Sequence, residues 1–133
     1  MAIAAFLGAA WAALTALVLP LAAAGGLPLS IAGADAPARA WLRVTAPLAI
    51  VAAVILALFA AGVAARRAWT RPLLPFLGAM VAIDRALWGL AGDLPPASAV
   101  RASLEGVALA LFALWYFYRR PGVAAYYRSL RRG

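Results

Sequence analysis

Four long stretches of apolar residues, separated by short polar or Gly/Pro-rich segments, form the main pattern along this chain. The longest of them exceed the roughly 20 residues that an α-helix needs to cross about 30 Å of hydrocarbon. The first two stretches contain no charged residue, and most charges lie at the ends of the stretches. The pattern predicts an all-α fold, an integral membrane bundle of four transmembrane helices within a single membrane domain, residues 1–133. The helices are expected at about residues 2–24, 44–65, 72–91 and 98–118.

The segments between the stretches read as a linker and two turns. Residues 25–40 contain five Gly or Pro residues and are expected to be a linker. The turns at 66–71 and 92–96 are short, so the helices on either side should be antiparallel neighbours. Residues 21–25 also resemble the small-residue cleavage site of a signal peptide. Because no basic residues precede the first stretch, we expect it to be a retained helix.

A fifth, shorter helix is predicted after Pro121, at about residues 122–132. Its apolar residues follow i, i+3, i+4, i+7 spacing, and its Arg residues lie off that stripe. Such a basic amphipathic helix is suited to the membrane surface. The alternative is a frayed tail that contributes only positive charge. The residues expected to bind the membrane surface are Arg119, Arg120, Tyr126, Tyr127, Arg128, Arg131 and Arg132.

The distribution of Arg residues predicts the orientation. Eight Arg residues fall on the side of the 66–71 turn and the C-terminus, against Arg39, Arg43 and Arg101 on the other side. Cytoplasmic loops carry the excess of positive charge. With four crossings, both termini are therefore expected in the cytoplasm, with the chain in a bacterial cytoplasmic (inner) membrane.

Composition removes most kinds of chemistry. The chain is 68% hydrophobic, lacks Cys and His, and carries only Arg among its basic residues. These absences exclude imidazole, thiolate and lysine Schiff-base roles, and no phosphate-binding Gly-rich motif is present. We therefore expect no enzyme activity, no metal and no cofactor. The net charge of +8 lies beside apolar stretches, as in membrane anchors, so no nucleic-acid partner is expected.

The first helix carries small residues at every fourth position: Ala4, Gly8, Ala12 and Ala16. Such rows let helix backbones approach closely in lipid, so we expect a packing face here. The alternative is that an Ala-rich chain produces the row by chance. Trp11 falls in the middle of the same helix. It is expected either to pack between helices or to line a groove for lipid, quinone or pigment.

Four charged residues, Asp84, Arg85, Arg101 and Glu105, interrupt the third and fourth stretches. Ionisable residues at membrane depth are costly and tend to pair or to line a polar cavity. Arg85 and Glu105 lie at comparable distances from the 92–96 turn, so we expect them to pair across the two helices. The group is then a neutral structural lock or a transport site. A third interpretation is that the hairpin protrudes and leaves these charges near the headgroups.

Residues 69–130 resemble a pattern found in small bacterial four-helix membrane proteins without a known activity. The resemblance rests on Arg66-Arg67-Ala68-Trp69, on residues 116–123 (YFYRRPGV) and on Tyr126-Tyr127. Two other small families do not fit. Small multidrug-resistance transporters place a Glu in their first helix, which is uncharged here, and the Gly/Arg/Asn pattern of fluoride channels is missing.

These patterns favour a non-enzymatic accessory or scaffolding subunit of a larger membrane complex, with bioenergetic or photosynthetic assemblies as natural hosts. The expected partners are the lipid bilayer and other membrane subunits, or further copies of this chain. The alternative is a small oligomeric transporter or channel that uses the four charged residues.

Overall fold

The computed structural model describes residues 2–25, 29–31, 34–35 and 37–130, and over these the chain is all-α. A two-residue antiparallel β-bridge pairs Ser30 with Asp35 within the predicted linker. A 3₁₀ turn at Ala68–Thr70 lies within the predicted 66–71 turn. The elements are α1 (Ala2–Ala23), β1 (Ser30–Ile31), β2 (Ala34–Asp35), α2 (Ala38–Ala64), α3 (Leu73–Leu90), α4 (Pro96–Tyr118) and α5 (Pro121–Ser129).

Three helical segments among the described residues are long and apolar enough to cross a membrane: Ala38–Ala64, Ala68–Leu90 and Pro96–Tyr118. These segments support the expectation of a helical membrane protein. In α1 a shorter apolar stretch, Ala9–Ala23, is found. The all-α class is thus confirmed, with three helices long enough to cross a membrane, while the bundle of four transmembrane helices stays a prediction.

Helix α2 begins at Ala38, six residues before the predicted start at 44. Pro37 is extended, with φ −63° and ψ 145°, and helical backbone follows it at once. The prediction placed the start where the apolar stretch starts. A helix can continue beyond the hydrocarbon, however, because its backbone hydrogen bonds do not depend on which side chains it carries. Arg39, Trp41 and Arg43 therefore lie in the first two turns of α2.

Helices α3 and α4 pack closely against each other. A Cβ atom added to Gly78 would lie 2.5 Å from the backbone nitrogen of Ala110. One added to Gly106 would lie 2.6 Å from the backbone nitrogen of Ala82. Two small-residue pairs, Gly78 with Ala82 and Gly106 with Ala110, thus bring the two backbones together. Helix α1 packs along α2, and α2 also contacts α3.

A buried aromatic cluster closes the end of the bundle that carries the 66–71 turn. It contains Phe59 and Val63 of α2, Ala113 and Phe117 of α4, and Tyr127 of α5. Phe117 makes edge-on contacts with Phe59 and Tyr127, both with ring centroids 5.9 Å apart. Helix α5 therefore folds back onto the bundle.

Candidate functional site

The four charged residues form two separate pairs. Arg85 Nη2 lies 2.7 Å from Asp84 Oδ2, and Arg101 Nε lies 3.0 Å from Glu105 Oε1. The expected cross-helix pair of Arg85 with Glu105 is therefore wrong in this structure. Gly106 contacts Ala82, one turn from Arg85, so Glu105 and Arg85 do lie at comparable depth. The two residues do not pair because of how α4 is rotated about its axis. Gly106 occupies the side of α4 that faces α3, which leaves Glu105 on the outer side.

Asp84 and Arg85 form the more enclosed pair, with side chains 24% and 15% exposed. Arg85 Nη2 also donates a hydrogen bond to the backbone oxygen of Val44 in α2, at 3.1 Å. Arg85 Nε is buried and has no hydrogen-bond partner among the described residues. The pair ties α3 to α2 and keeps unused hydrogen-bonding capacity.

A groove of about 510 Å³ runs between the α1–α2 and α3–α4 hairpins and includes Arg85 in its lining. Its other polar side chains are Thr15 and Thr45, and leucines from all of α2, α3 and α4 line the rest. Trp11 lines the groove as well and is about half exposed. Trp11 thus lines a groove between helices, and the binding of lipid, quinone or pigment there stays a prediction.

The second pair, Arg101 with Glu105, lies on the outer surface of α4. The side chains are 83% and 64% exposed, and they follow the i, i+4 spacing of one helix face. Val100 and Leu104 beside them are also exposed. An ion pair with no net charge thus lies in an apolar surface that no described part of the chain covers.

The end of the bundle with the 66–71 turn contains a hydrogen-bonded arrangement that sequence reasoning missed. Arg71 donates two hydrogen bonds to the backbone oxygen of Phe117, at 3.0 and 2.8 Å. Its guanidinium carbon also lies 3.8 Å from the centroid of the Tyr118 ring. A cation at this carbonyl is favourable, because the last carbonyls of a helix are unpaired and carry the negative end of its dipole.

Tyr127 corrects the prediction for the C-terminal helix. It is 1% exposed, and its hydroxyl lies 3.0 Å from Thr70 Oγ1. Thr70 already donates its one hydroxyl hydrogen to the Arg67 oxygen, so Tyr127 is the donor in this contact. Burial raises the pKa of the Tyr127 hydroxyl above its usual 10.0, and the contact with Thr70 opposes the rise to a smaller extent.

The periodicity predicted for α5 is right, but the surface that it meets is different. Val123, Tyr126 and Leu130 pack against the same aromatic cluster as Tyr127, so the apolar stripe faces the bundle. The stripe was expected to enter lipid. A helix buries its apolar side against whichever apolar surface is nearest, and Pro121 turns this one back onto α2 and α4. Arg119, Arg120 and Arg128 are exposed, and their membrane binding stays a prediction.

Some of the remaining predicted residues lie outside the part of the chain that the structure describes. Arg131 and Arg132 lie outside the described residues, as do the side chains of Ala4, Gly8 and Ala12. Ala16 is exposed. Within the ranges that the structure describes, no group of three or more acidic, His or Cys side chains could hold a metal ion.

The close contact of α3 with α4 had a signal in the sequence. Gly78 and Ala82, like Gly106 and Ala110, are small residues four positions apart, the same spacing that singled out helix one. The contact of Arg85 with Val44 had no such signal, because any residue supplies a backbone oxygen.

Comparison of the chain with protein-family models, curated proteins and solved structures finds no match.

Proposed function

We propose that this chain is a non-enzymatic accessory or scaffolding subunit that packs against larger proteins in a bacterial cytoplasmic membrane. The proposal depends on one observation, the exposed Arg101–Glu105 pair on the outer surface of α4. A charged pair that faces lipid is unfavourable, and such residues normally face protein or water. A neighbouring subunit with polar groups at the same depth would remove that cost.

The depth of the pair supports this reasoning. Helix α4 has 23 residues and is therefore about 34 Å long. Glu105 follows Pro96 by nine residues, which places it about 13 Å from the start of the helix. A helix of this length leaves only a few ångströms outside about 30 Å of hydrocarbon. Glu105 therefore belongs well within the membrane when α4 spans it.

The topology that goes with this proposal has four crossings and cytoplasmic termini. Helix α1 has 22 residues, and so is about 33 Å long, enough to cross. The turn at 66–71 and helix α5 lie at one end of the bundle, where Thr70 meets Tyr127. The Arg residues of these two segments therefore share one end, and the excess of positive charge favours the cytoplasm for it.

The test is purification from membranes in a mild detergent, with a matched pair of double variants. Arg101→Leu with Glu105→Leu removes the charged pair without changing the net charge. Arg43→Leu with Asp93→Leu does the same to a pair at the end of the bundle, where the nitrogen and oxygen are 3.9 Å apart. We expect larger subunits to copurify with the parent and with the second variant, and to be lost from the first.

Retention of the same subunits by the Arg101/Glu105 variant would contradict the docking role of α4. A parent that purifies only as a homo-oligomer would favour the alternative, a small transporter or channel. The observation behind that alternative is the enclosed Asp84–Arg85 pair beside Thr15 and Thr45 at the groove. Flux into liposomes that depends on Asp84 would establish it.

A further inference from the structure

The groove between the two hairpins has a polar end and an apolar end. Along α2 its lining runs from Thr45 to Leu56, and along α3 from Arg85 to Leu74. Each of these segments covers eleven residue steps, or about 16 Å of helix. Arg85 bonds the oxygen of Val44, the residue before Thr45, so Thr45 lies level with Arg85. The two helices are antiparallel, because the 66–71 turn joins them beyond the Leu56 and Leu74 end of the groove. The groove is thus shaped for an elongated molecule with one polar end.

The depth of the polar end matches the region where lipid chains join their headgroups. Arg85 is five residues from Leu90, the last residue of α3, which corresponds to about 7–8 Å. Thr45 is seven residues from the start of α2, which corresponds to about 10 Å. Helix α2 has 27 residues, or about 40 Å, and extends past the hydrocarbon by several ångströms at each end. The polar end therefore lies just inside the boundary of the hydrocarbon.

The charges at the polar end of the groove indicate which kind of lipid atom would bind there. A guanidinium carries five N–H donors, and those of Arg85 are engaged by Val44 and Asp84 only in part. Its Nη1 takes part in neither contact, whereas Nε is buried and has no partner among the described residues. Asp84 at 2.7 Å already neutralises the positive charge, so an anion gains little there. A neutral acceptor, such as a carbonyl oxygen, fits the donors that remain.

We propose that this groove binds one acyl chain of a membrane glycerolipid, with the ester carbonyl accepting a hydrogen bond from Arg85. The volume of about 510 Å³ lies within the range of roughly 300–1,000 Å³ that is usual for ligand sites. The leucine-rich part holds the chain, and Trp11 lines the side formed by α1. The site is independent of any subunit that docks on the outer surface of α4.

Two substitutions in α2 distinguish lipid binding in the groove from lipid binding elsewhere on the surface. Ala52 lines the groove, whereas Ala57, on the same helix, is exposed and lies outside its lining. Ala52→Phe fills the groove, and Ala57→Phe adds the same bulk elsewhere. We expect native mass spectrometry to find a single phospholipid retained by the parent and by Ala57→Phe after extended detergent washing. Ala52→Phe should retain none. Equal retention by both variants, or none by the parent, would refute the site.

The hydrogen bond from Arg85 to the ester carbonyl is tested by measuring lipid binding to the parent protein after delipidation. Phosphatidylcholine with ester-linked chains should bind about five- to tenfold more tightly than its ether-linked analogue, which lacks the carbonyl. Phosphatidylglycerol with the same ester-linked chains should bind about as well as phosphatidylcholine, because Asp84 cancels the local charge. Equal affinity for ester and ether lipids, or a strong preference for the anionic lipid, would overturn the carbonyl assignment. Displacement of the lipid by a short-chain ubiquinone at lower concentration would show that the occupant is a quinone.

Discussion

The contact between Gly106 and α3 makes a quantitative prediction about Gly106→Ala. The added Cβ atom would lie 2.6 Å from the Ala82 nitrogen and 2.9 Å from the Gly78 oxygen. Favourable carbon contacts occur at about 3.5–4.0 Å, so the helices must separate by roughly 1 Å. A gap of that size forfeits about a quarter to a half of the dispersion energy of each pair of atoms across the contact. Since both neighbours are backbone atoms, no side-chain rotation can relieve the overlap.

We expect Gly106→Ala to lower the free energy of unfolding by about 1–3 kcal/mol, the usual range for overpacking. Gly78→Ala should cost a similar amount, because its Cβ atom would lie 2.5 Å from the Ala110 nitrogen. The double variant should cost less than the sum, since one separation of the helices accommodates both methyl groups. The control is Gly122→Ala, where a Cβ atom would meet nothing within 4 Å.

The assay is reversible unfolding in detergent micelles, followed by circular dichroism as a denaturing detergent is added. Gly122→Ala should match the parent or exceed it slightly, because Ala is the better helix former. If Gly106→Ala unfolds within about 0.5 kcal/mol of the parent, the backbones of α3 and α4 are not in close contact. Strictly additive losses in the double variant would show that the two glycines do not share one contact.

Three further predictions concern the end of the bundle with the 66–71 turn and its orientation. Above pH 10, thermal unfolding should show a smaller loss of stability with rising pH for Tyr127→Phe than for the parent. In the parent, the unfolded chain releases the proton of the Tyr127 hydroxyl at about the usual pKa of 10.0, whereas the folded chain retains it because burial raises the pKa. Arg71→Met should lower the free energy of unfolding by about 1.5–3 kcal/mol, because the hydrogen bonds to the Phe117 oxygen are lost. Arg67→Met, at an exposed position, should change it little in the same unfolding assay. Reporter fusions at residues 68 and 133 should give cytoplasmic signals, and a fusion at 94 should not; a cytoplasmic signal at 94 would contradict the topology.

The sequence by itself determined the class of fold and the positions of the long helices. Uninterrupted apolar stretches of this length have few stable alternatives, because backbone polar groups in lipid must be satisfied within the helix. The apolar period of α5 was also readable, because i, i+3, i+4, i+7 spacing is a property of the helix itself. Helix ends were less well predicted, as the start of α2 at Ala38 shows, since the apolar stretch marks the membrane and not the helix.

Only the tertiary structure decided which surfaces meet. The depth of Arg85 and Glu105 could be estimated by counting residues, but their partners depend on how α3 and α4 are rotated. That rotation is set by the contact of Gly78 and Gly106, which turns Glu105 outward to Arg101 and leaves Arg85 with Asp84 and the Val44 oxygen. Likewise, spacing defined the apolar stripe of α5 but not whether lipid or protein covers it. Tyr127 is buried because Phe117 and Phe59, the latter distant in the sequence, leave an apolar surface at that end of the bundle.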